Sequence, residues 1–267
     1  EKNVYGGGEV GRVDQDSKVA LGVKDQEKGS AAPTVKGNVF GAGAGKDTHG
    51  YSALVRGNTE VILQGNTKVE KIVYCGGEIA AVGIYGLDGL GMPTTLVSGG
   101  ECKVTVKGYA DIGENVFGAG EGVVPAFVSG ESKRMDNTGG WEIFTDRAKY
   151  LAFLQTLALA TDTKLSIEGN ATVNGSVYGG SESGFVQRDT EVKIQGATGT
   201  DGSVIDGNIY GGGKGLATFA EAGRVNGGVT IDVSGSTTRG SVYGGGELGI
   251  VVGAVKVAKL PFHALNL

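Results

Sequence analysis

Proline is nearly missing from this chain of 267 residues, with four copies, and cysteine and histidine occur twice each. So little proline, without a three-residue glycine period, excludes a collagen-like chain. Cys75 and Cys102 are too few for a disulfide framework, and they say little about compartment. His49 and His263 stand at ligand spacing neither from each other nor from a cysteine, so no zinc motif is present. No stretch nears the roughly 20 apolar residues of a membrane helix. Basic residues are not in excess either: the formal net charge is −5, with both signs interspersed. A nucleic-acid partner, which needs a basic patch, is therefore not expected. No leader is visible, because Glu1 opens inside a repeat at Asn3-Val4-Tyr5-Gly6. A trimmed or mature piece of a longer protein is the expectation.

What the chain has is glycine, 52 residues of it, in a sequence that is still 39% hydrophobic. That much apolar residue in alternating patterns argues against disorder, so the glycines serve turns and close backbone packing. One unit recurs. Its anchor is an aliphatic residue, an aromatic and then small residues, with the aromatics at Tyr5, Phe40, Tyr74, Phe117, Tyr178, Tyr210 and Tyr243. The spacings are 35, 34, 43, 61, 32 and 33 residues, a base period near 33 with two insertions. Between anchors lie alternating segments closed by glycine: Thr59–Gly65, Cys102–Gly108, Thr163–Gly169, Thr190–Gly196 and Val229–Gly235. Each reads as a half-buried strand. A short third strand precedes some anchors, as in Ala171-Thr172-Val173.

A unit of two or three short strands cannot bury its own apolar face, whereas stacked copies share a core. The expectation is an all-β fold, a parallel, right-handed β-helix of about seven coils in one domain over residues 1–267. An antiparallel β-prism or propeller is the alternative, supported by the turn pairs Asn174-Gly175, Asp206-Gly207 and Asn226-Gly227. The insertions are residues 79–100 and 123–161. The second predicts a helix over about 142–160, with Phe144, Ala148, Leu151, Leu154 and Ala158 at helical steps. It is expected to lie on the solenoid flank and shield apolar surface.

Catalytic patterns fail in context. Gly6-x-Gly8-x-x-Gly11 and Gly244-x-Gly246-x-x-Gly249 match a dinucleotide fingerprint, but no helix is predicted after either. Gly45-Lys46 lacks the first glycine and the following Ser or Thr of a phosphate loop. Gly180-Ser181-Glu182-Ser183-Gly184 does not fit a nucleophile elbow. Catalytic residues are thus none, and no organic cofactor is expected. The candidate ligand or cation column is the position four residues after each aromatic: Glu9, Glu78, Glu121, Glu182 and Glu247, interrupted by Ala44 and Lys214. Its simplest reading is a solvated, metal-free rim; calcium bridging and paired carboxylates for sugar cleavage are the alternatives. The aromatics read as an internal structural ladder.

The pattern in Gly240-Ser241-Val242-Tyr243-Gly244-Gly245-Gly246-Glu247-Leu248-Gly249 and Gly207-Asn208-Ile209-Tyr210-Gly211-Gly212-Gly213-Lys214-Gly215 resembles the glycine-rich repeats of adhesin-like secreted and surface proteins of Bacteroidota. That resemblance covers most of the chain but not residues 123–161. It implies an extracellular or cell-surface location and a many-repeat architecture, and it carries over no catalytic residue. The expected function is a structural or adhesive segment that binds glycan or protein surfaces along a rigid rod. A β-helical polysaccharide lyase or hydrolase and a self-assembling fibre module are the other classes. The run Lys256–Leu267 departs from the pattern and reads as a cap or tail.

Overall fold

A computed structural model describes residues 2–49, 52–87, 89, 93–136, 139–197 and 202–259. The described residues wind into seven coils, and equivalent segments of successive coils pair in parallel. The anchors form one seven-stranded ladder, Val4–Tyr5 through Val242–Tyr243, in strict chain order. A second seven-stranded sheet holds the longer strands Ser17–Leu21, Thr59–Leu63, Glu101–Val106, Asp162–Gly169, Thr190–Gly196, Val229–Ser234 and Val255–Lys259. Short strands from Thr34–Val35 to Thr237–Thr238 make a six-stranded third face. This is the expected parallel solenoid, and the antiparallel prism and propeller fall away. Asn174-Gly175, Asp206-Gly207 and Asn226-Gly227 turn corners between parallel strands; they do not close hairpins.

Register explains why alternation in the long strands was so clear. Val19, Val61, Val104, Leu165, Val192 and Ile231 lie side by side in one inward row, and all six are buried. The outward row through Lys18, Glu60, Lys103, Lys164, Glu191 and Thr230 faces water on the same strands. A slip of one residue would exchange these faces, so burial fixes the register. Corner side chains reinforce it by capping the next coil. Asn3 Oδ1 accepts from Asn38 N at 2.9 Å, Asn115 Oδ1 from Ser176 N at 2.8 Å, and Asn208 Oδ1 from Ser241 N at 2.8 Å.

A fourth line of contact was not expected from the sequence. Between anchor and long strand, each coil contributes an isolated inward residue: Val13, Val55, Val82, Val186, Val225 and Val251 are joined by parallel bridges, and Ala160 pairs with Val186. Val55, Val82, Ala160, Val186 and Val225 are fully buried. Another difference lies at the end of the chain. Val255–Lys259 does not depart from the pattern but forms the last strand of the long-strand sheet, against Val229–Val233. Residues 260–267, including His263, lie outside the described residues.

The insertions pack on the flank. Ile84–Leu87 pairs antiparallel with Pro93–Ser98, and Met92 lies outside the described residues. In the second insertion the helix is Arg147–Leu154, shorter than the expected 142–160. Trp141–Ile143 instead pairs with Lys133–Met135, and Leu159–Ala160 re-enters the solenoid as a strand. Asp146 caps the helix by accepting from Ala148 N at 2.7 Å. The buried stripe is Tyr150, Phe153, Leu154 and Leu157, with Ala148 exposed. This face meets Ala81, Tyr85, Phe185 and Phe219 in a second apolar cluster outside the coils. Among the described residues, no helix is long and apolar enough to cross a membrane.

Candidate functional site

The seven anchor aromatics form a continuous stack. Neighbouring ring centroids are 4.6–5.1 Å apart, and their planes are inclined by 2–12°. A flat ring can sit there because the next residue is small and the backbone turns tightly past it. Phe40, Tyr74 and Phe117 are essentially inaccessible, while Tyr243 at the last coil is exposed. The ladder is buried from Phe40 to Tyr210 and open to solvent at Tyr243.

The glutamate positions also stack. The amide of each residue in that slot bonds to the carbonyl before the slot on a neighbouring coil, as in Glu78 N to Gly43 O at 3.1 Å, Glu121 N to Gly77 O at 3.0 Å and Glu247 N to Gly213 O at 3.1 Å. The expectation of a solvated rim is corrected for the inner members. Glu78, Glu121 and Glu182 are half-buried, and only Glu9 and Glu247 of the column are exposed. Glu78 and Glu182 have tyrosine partners there, and Glu121 has none. The hydroxyl of Tyr5 donates to Glu78, that of Tyr74 to Glu182, and that of Tyr178 to Glu247 at 2.5 Å. Every one of these bonds skips a coil, joining the first coil to the third, the third to the fifth and the fifth to the seventh. A tyrosine ring thus projects its oxygen far enough along the stack to reach the slot two coils on.

This reach gives meaning to the Tyr/Phe alternation. Phe117 has no hydroxyl, and the slot two coils on is Lys214, which instead reaches Glu182 Oε1 at 2.8 Å. Phe40 likewise offers none, yet its slot holds a carboxylate, Glu121. Burial, and then the charges of Glu182 and Glu78, push the Glu121 carboxyl up from 4.5 to about 7, with Lys214 opposing. The tyrosines move in the matching direction: burial, then the Glu78 bond, pushes Tyr5 up to about 12, and Tyr74 and Tyr178 are also raised.

The folded chain therefore holds the Glu121 proton more tightly than the unfolded chain does. Between about 4.5 and 7 the native state binds more protons, so this group's contribution to stability falls as pH rises through that window. The loss is on the order of 1–2 kcal/mol after screening by the water the group touches. Glu121→Gln is expected to raise the urea midpoint at pH 8 relative to the parent and to leave it nearly unchanged at pH 4.5. Phe40→Tyr tests the coil-skipping rule from the other side. Its hydroxyl should reach Glu121, stabilise the carboxylate, and add about 1 kcal/mol at pH 8. Equal pH profiles for parent and both variants would contradict the assignment.

Among the described residues, no group of three or more His, Cys, Asp or Glu is placed to hold an ion. Among the described residues, no helix directly follows Gly11 or Gly249, so the glycine motifs lack the helix N-terminus of a dinucleotide fingerprint.

A second constellation escaped the sequence reading. At the corner where the long strands begin, an open groove of about 760 Å³ is lined by Glu101, Asp162, Lys164, Asp189, Glu191, Thr230 and Lys256, among others. These residues come from five successive coils, and only the stacking aligns them. Three of the carboxylates are already committed: Glu101 accepts from Lys164 at 2.6 Å, Asp162 meets Arg188 at 2.7 Å, and Asp189 caps Gly228 N at 2.7 Å.

No family model, curated protein or solved structure matches the chain, so the functional reading rests on this geometry.

Proposed function

We propose that the chain is a non-catalytic structural and adhesive segment of a secreted or cell-surface bacterial protein, and that it holds glycan or protein ligands along the outer face of its long strands. The observation that carries this reading is the outward row Lys18, Glu60, Lys103, Lys164, Glu191, Thr230, Lys256, one residue per coil and in register through seven strands. Such a row offers hydrogen-bonding groups every ~4.8 Å. An extended ligand running along the rod meets many weak, evenly spaced contacts, and their sum is avidity without a deep pocket. Cross-coil ion pairs such as Lys18–Glu60 at 2.7 Å hold the side chains in place and add little to stability themselves. The resemblance to adhesin-like repeats points the same way.

Carboxylate-based sugar cleavage is the second reading, because the groove gathers acidic side chains with Lys164 and Lys256 on one face. It ranks behind adhesion on two grounds. Three of the acids serve structural bonds, and the carboxyl poised near neutrality, Glu121, lies on the tyrosine column outside the groove. An oligosaccharide array probed with the full chain, as monomer and as a streptavidin-displayed tetramer, distinguishes the two. Adhesion predicts retention that strengthens at least tenfold on tetramerisation and weakens in Lys164→Glu/Glu191→Lys, with no new reducing ends. Release of reducing or unsaturated ends would replace it with the enzymatic reading. Absence of any retention by the tetramer would remove the glycan arm.

A further inference from the structure

We propose that Cys75 and Cys102 become joined by a disulfide, a staple across the third coil that closes the first insertion at its base. Two slots of the repeat carry the argument. One is the residue after each aromatic, glycine on every coil but the third. The other is the first inward residue of each long strand, which is Ser17, Thr59, Thr163, Thr190, Val229 and Val255 on the other coils. On the first, fourth, sixth and seventh coils these slots face each other in close contact within one coil. A Cβ added to Gly6 would lie 2.3 Å from Ser17 Oγ, and one added to Gly118 would lie 3.1 Å from Thr163 Cβ. At Gly211 and Gly244 the nearest atom is the γ-carbon of Val229 at 2.1 Å and of Val255 at 2.2 Å. A disulfide needs Cβ atoms about 3.5–4.5 Å apart with the side chains directed at each other. The third coil fills both slots with cysteine at once, and these are the two cysteines of the chain.

The local contacts agree. Cys102 pairs in register with Thr59, and Cys75 Sγ lies 3.7 Å from Thr59 Oγ1. The substitution also removes a hydrogen bond made on neighbouring coils. Thr59, Thr163 and Thr190 donate to the carbonyls of Cys75, Gly179 and Gly211, whereas Cys102 replaces that hydroxyl with a thiol. Both thiols are free in this structure and fully buried. Burial, with the Cys102 thiol beside it, pushes the Cys75 thiol well up, so thiolate is scarce in the finished core. Oxidation therefore belongs to the folding chain, before the core closes. One cysteine thiolate attacks a low-molecular-weight disulfide such as oxidised glutathione and expels one glutathione thiolate. The second cysteine thiolate then displaces the other glutathione from the mixed disulfide. Two protein thiols are oxidised, and one glutathione disulfide is reduced to two thiols.

The test refolds the full chain in oxidised and reduced glutathione, then denatures it without reductant in iodoacetamide. The expected result is an unalkylated chain about 2 Da lighter than the dithiol form, with a proteolytic peptide pair linked through Cys75 and Cys102. Two carbamidomethyl groups on the refolded chain, or linkage between two chains, would overturn the proposal. Melting supplies a second readout. Reductant should lower the Tm of the oxidised parent by roughly 5–10 °C, given the 27-residue separation of the two positions. Cys75→Gly/Cys102→Thr restores the repeat pattern and should melt alike with and without reductant. An equal reductant effect in that variant would also overturn the staple.

Discussion

Gly118→Ala is expected to unfold the middle of the solenoid, although it adds one methyl group. Gly118 follows Phe117, and a Cβ there would lie 2.1 Å from Gly179 O and 3.1 Å from Thr163 Cβ. The nearest obstacle is backbone of the adjacent coil, which cannot swing aside as a side-chain end can. The third coil admits a Cβ in this slot at Cys75, where the N···O distance to the next coil is 3.1 Å against 2.8 Å at Gly118. To admit the methyl, the coils must separate, and the bonds between Gly118 N and Tyr178 O at 2.8 Å and between Thr163 Oγ1 and Gly179 O at 2.6 Å stretch or break. Overpacking of this kind costs about 1–3 kcal/mol, and each buried backbone group left unsatisfied adds about 1–3 more. A loss of about 4 kcal/mol is a large fraction of a typical domain's stability. The matched control is Gly245→Ala in the last coil, where an added Cβ meets nothing within 4 Å. Chemical denaturation followed by circular dichroism should show a midpoint near the parent's for Gly245→Ala. For Gly118→Ala it should show a much lower midpoint or no transition. Similar midpoints for the two would mean that the coils can part at little cost.

Phe117→Ala comes next in size. The ring is fully buried between Tyr74 at 5.0 Å and Tyr178 at 4.6 Å, so its removal leaves a cavity in the centre of the stack. Phe-to-Ala changes in well-packed interiors cost about 3–5 kcal/mol. The aromatic contacts on both faces place this site at the upper end. Tyr243→Ala, at an exposed ring with one stacking neighbour, should cost less than about 1 kcal/mol. Urea midpoints of the two variants against the parent check the contrast. A small loss for Phe117→Ala would mean that the stack adjusts by sliding neighbouring rings into the gap.

Much of this architecture was legible because a solenoid writes its core once per coil. Val39-Phe40-Gly41, Val73-Tyr74 and Val116-Phe117-Gly118 repeat because each must fit the one below it, and the long strands alternate because they are buried on one side. The fourth contact line was hidden because it uses one residue per coil, valine on six coils and Ala160 on the fourth, and a single residue shows no alternation. The helix was overdrawn for a related reason. Phe144 and Ala158 fall at helical spacing from Leu151 and Leu154, yet Phe144 follows the hairpin strand Trp141–Ile143, and Ala158 makes a left-handed turn at φ 47° into the returning strand. Apolar spacing could not separate a helix from two buried residues that flank it, Phe144 and Ala158. The glutamate column was found, but its burial was not, because the hydroxyls that satisfy it come from two coils away. The available signal was the choice between Tyr and Phe: tyrosine at 5, 74 and 178 matches glutamate at 78, 182 and 247. The groove at Glu101, Asp162 and Glu191 left no such trace, since its members align only after the insertions have been looped out.

The coil-skipping tyrosines change how such a rod comes apart. A stack held only by contacts between adjacent coils behaves as a one-dimensional array and can fray from its ends one coil at a time. Here the bonds from Tyr5 to Glu78, Tyr74 to Glu182 and Tyr178 to Glu247 clasp the odd-numbered coils over the heads of the even ones. Peeling off the seventh coil also strips the fifth of its tyrosine's acceptor, so that step costs a hydrogen bond beyond the contacts between neighbours. Pulled from its C-terminal end by a force probe, such a rod is expected to resist more at the odd-numbered coils than at the even ones.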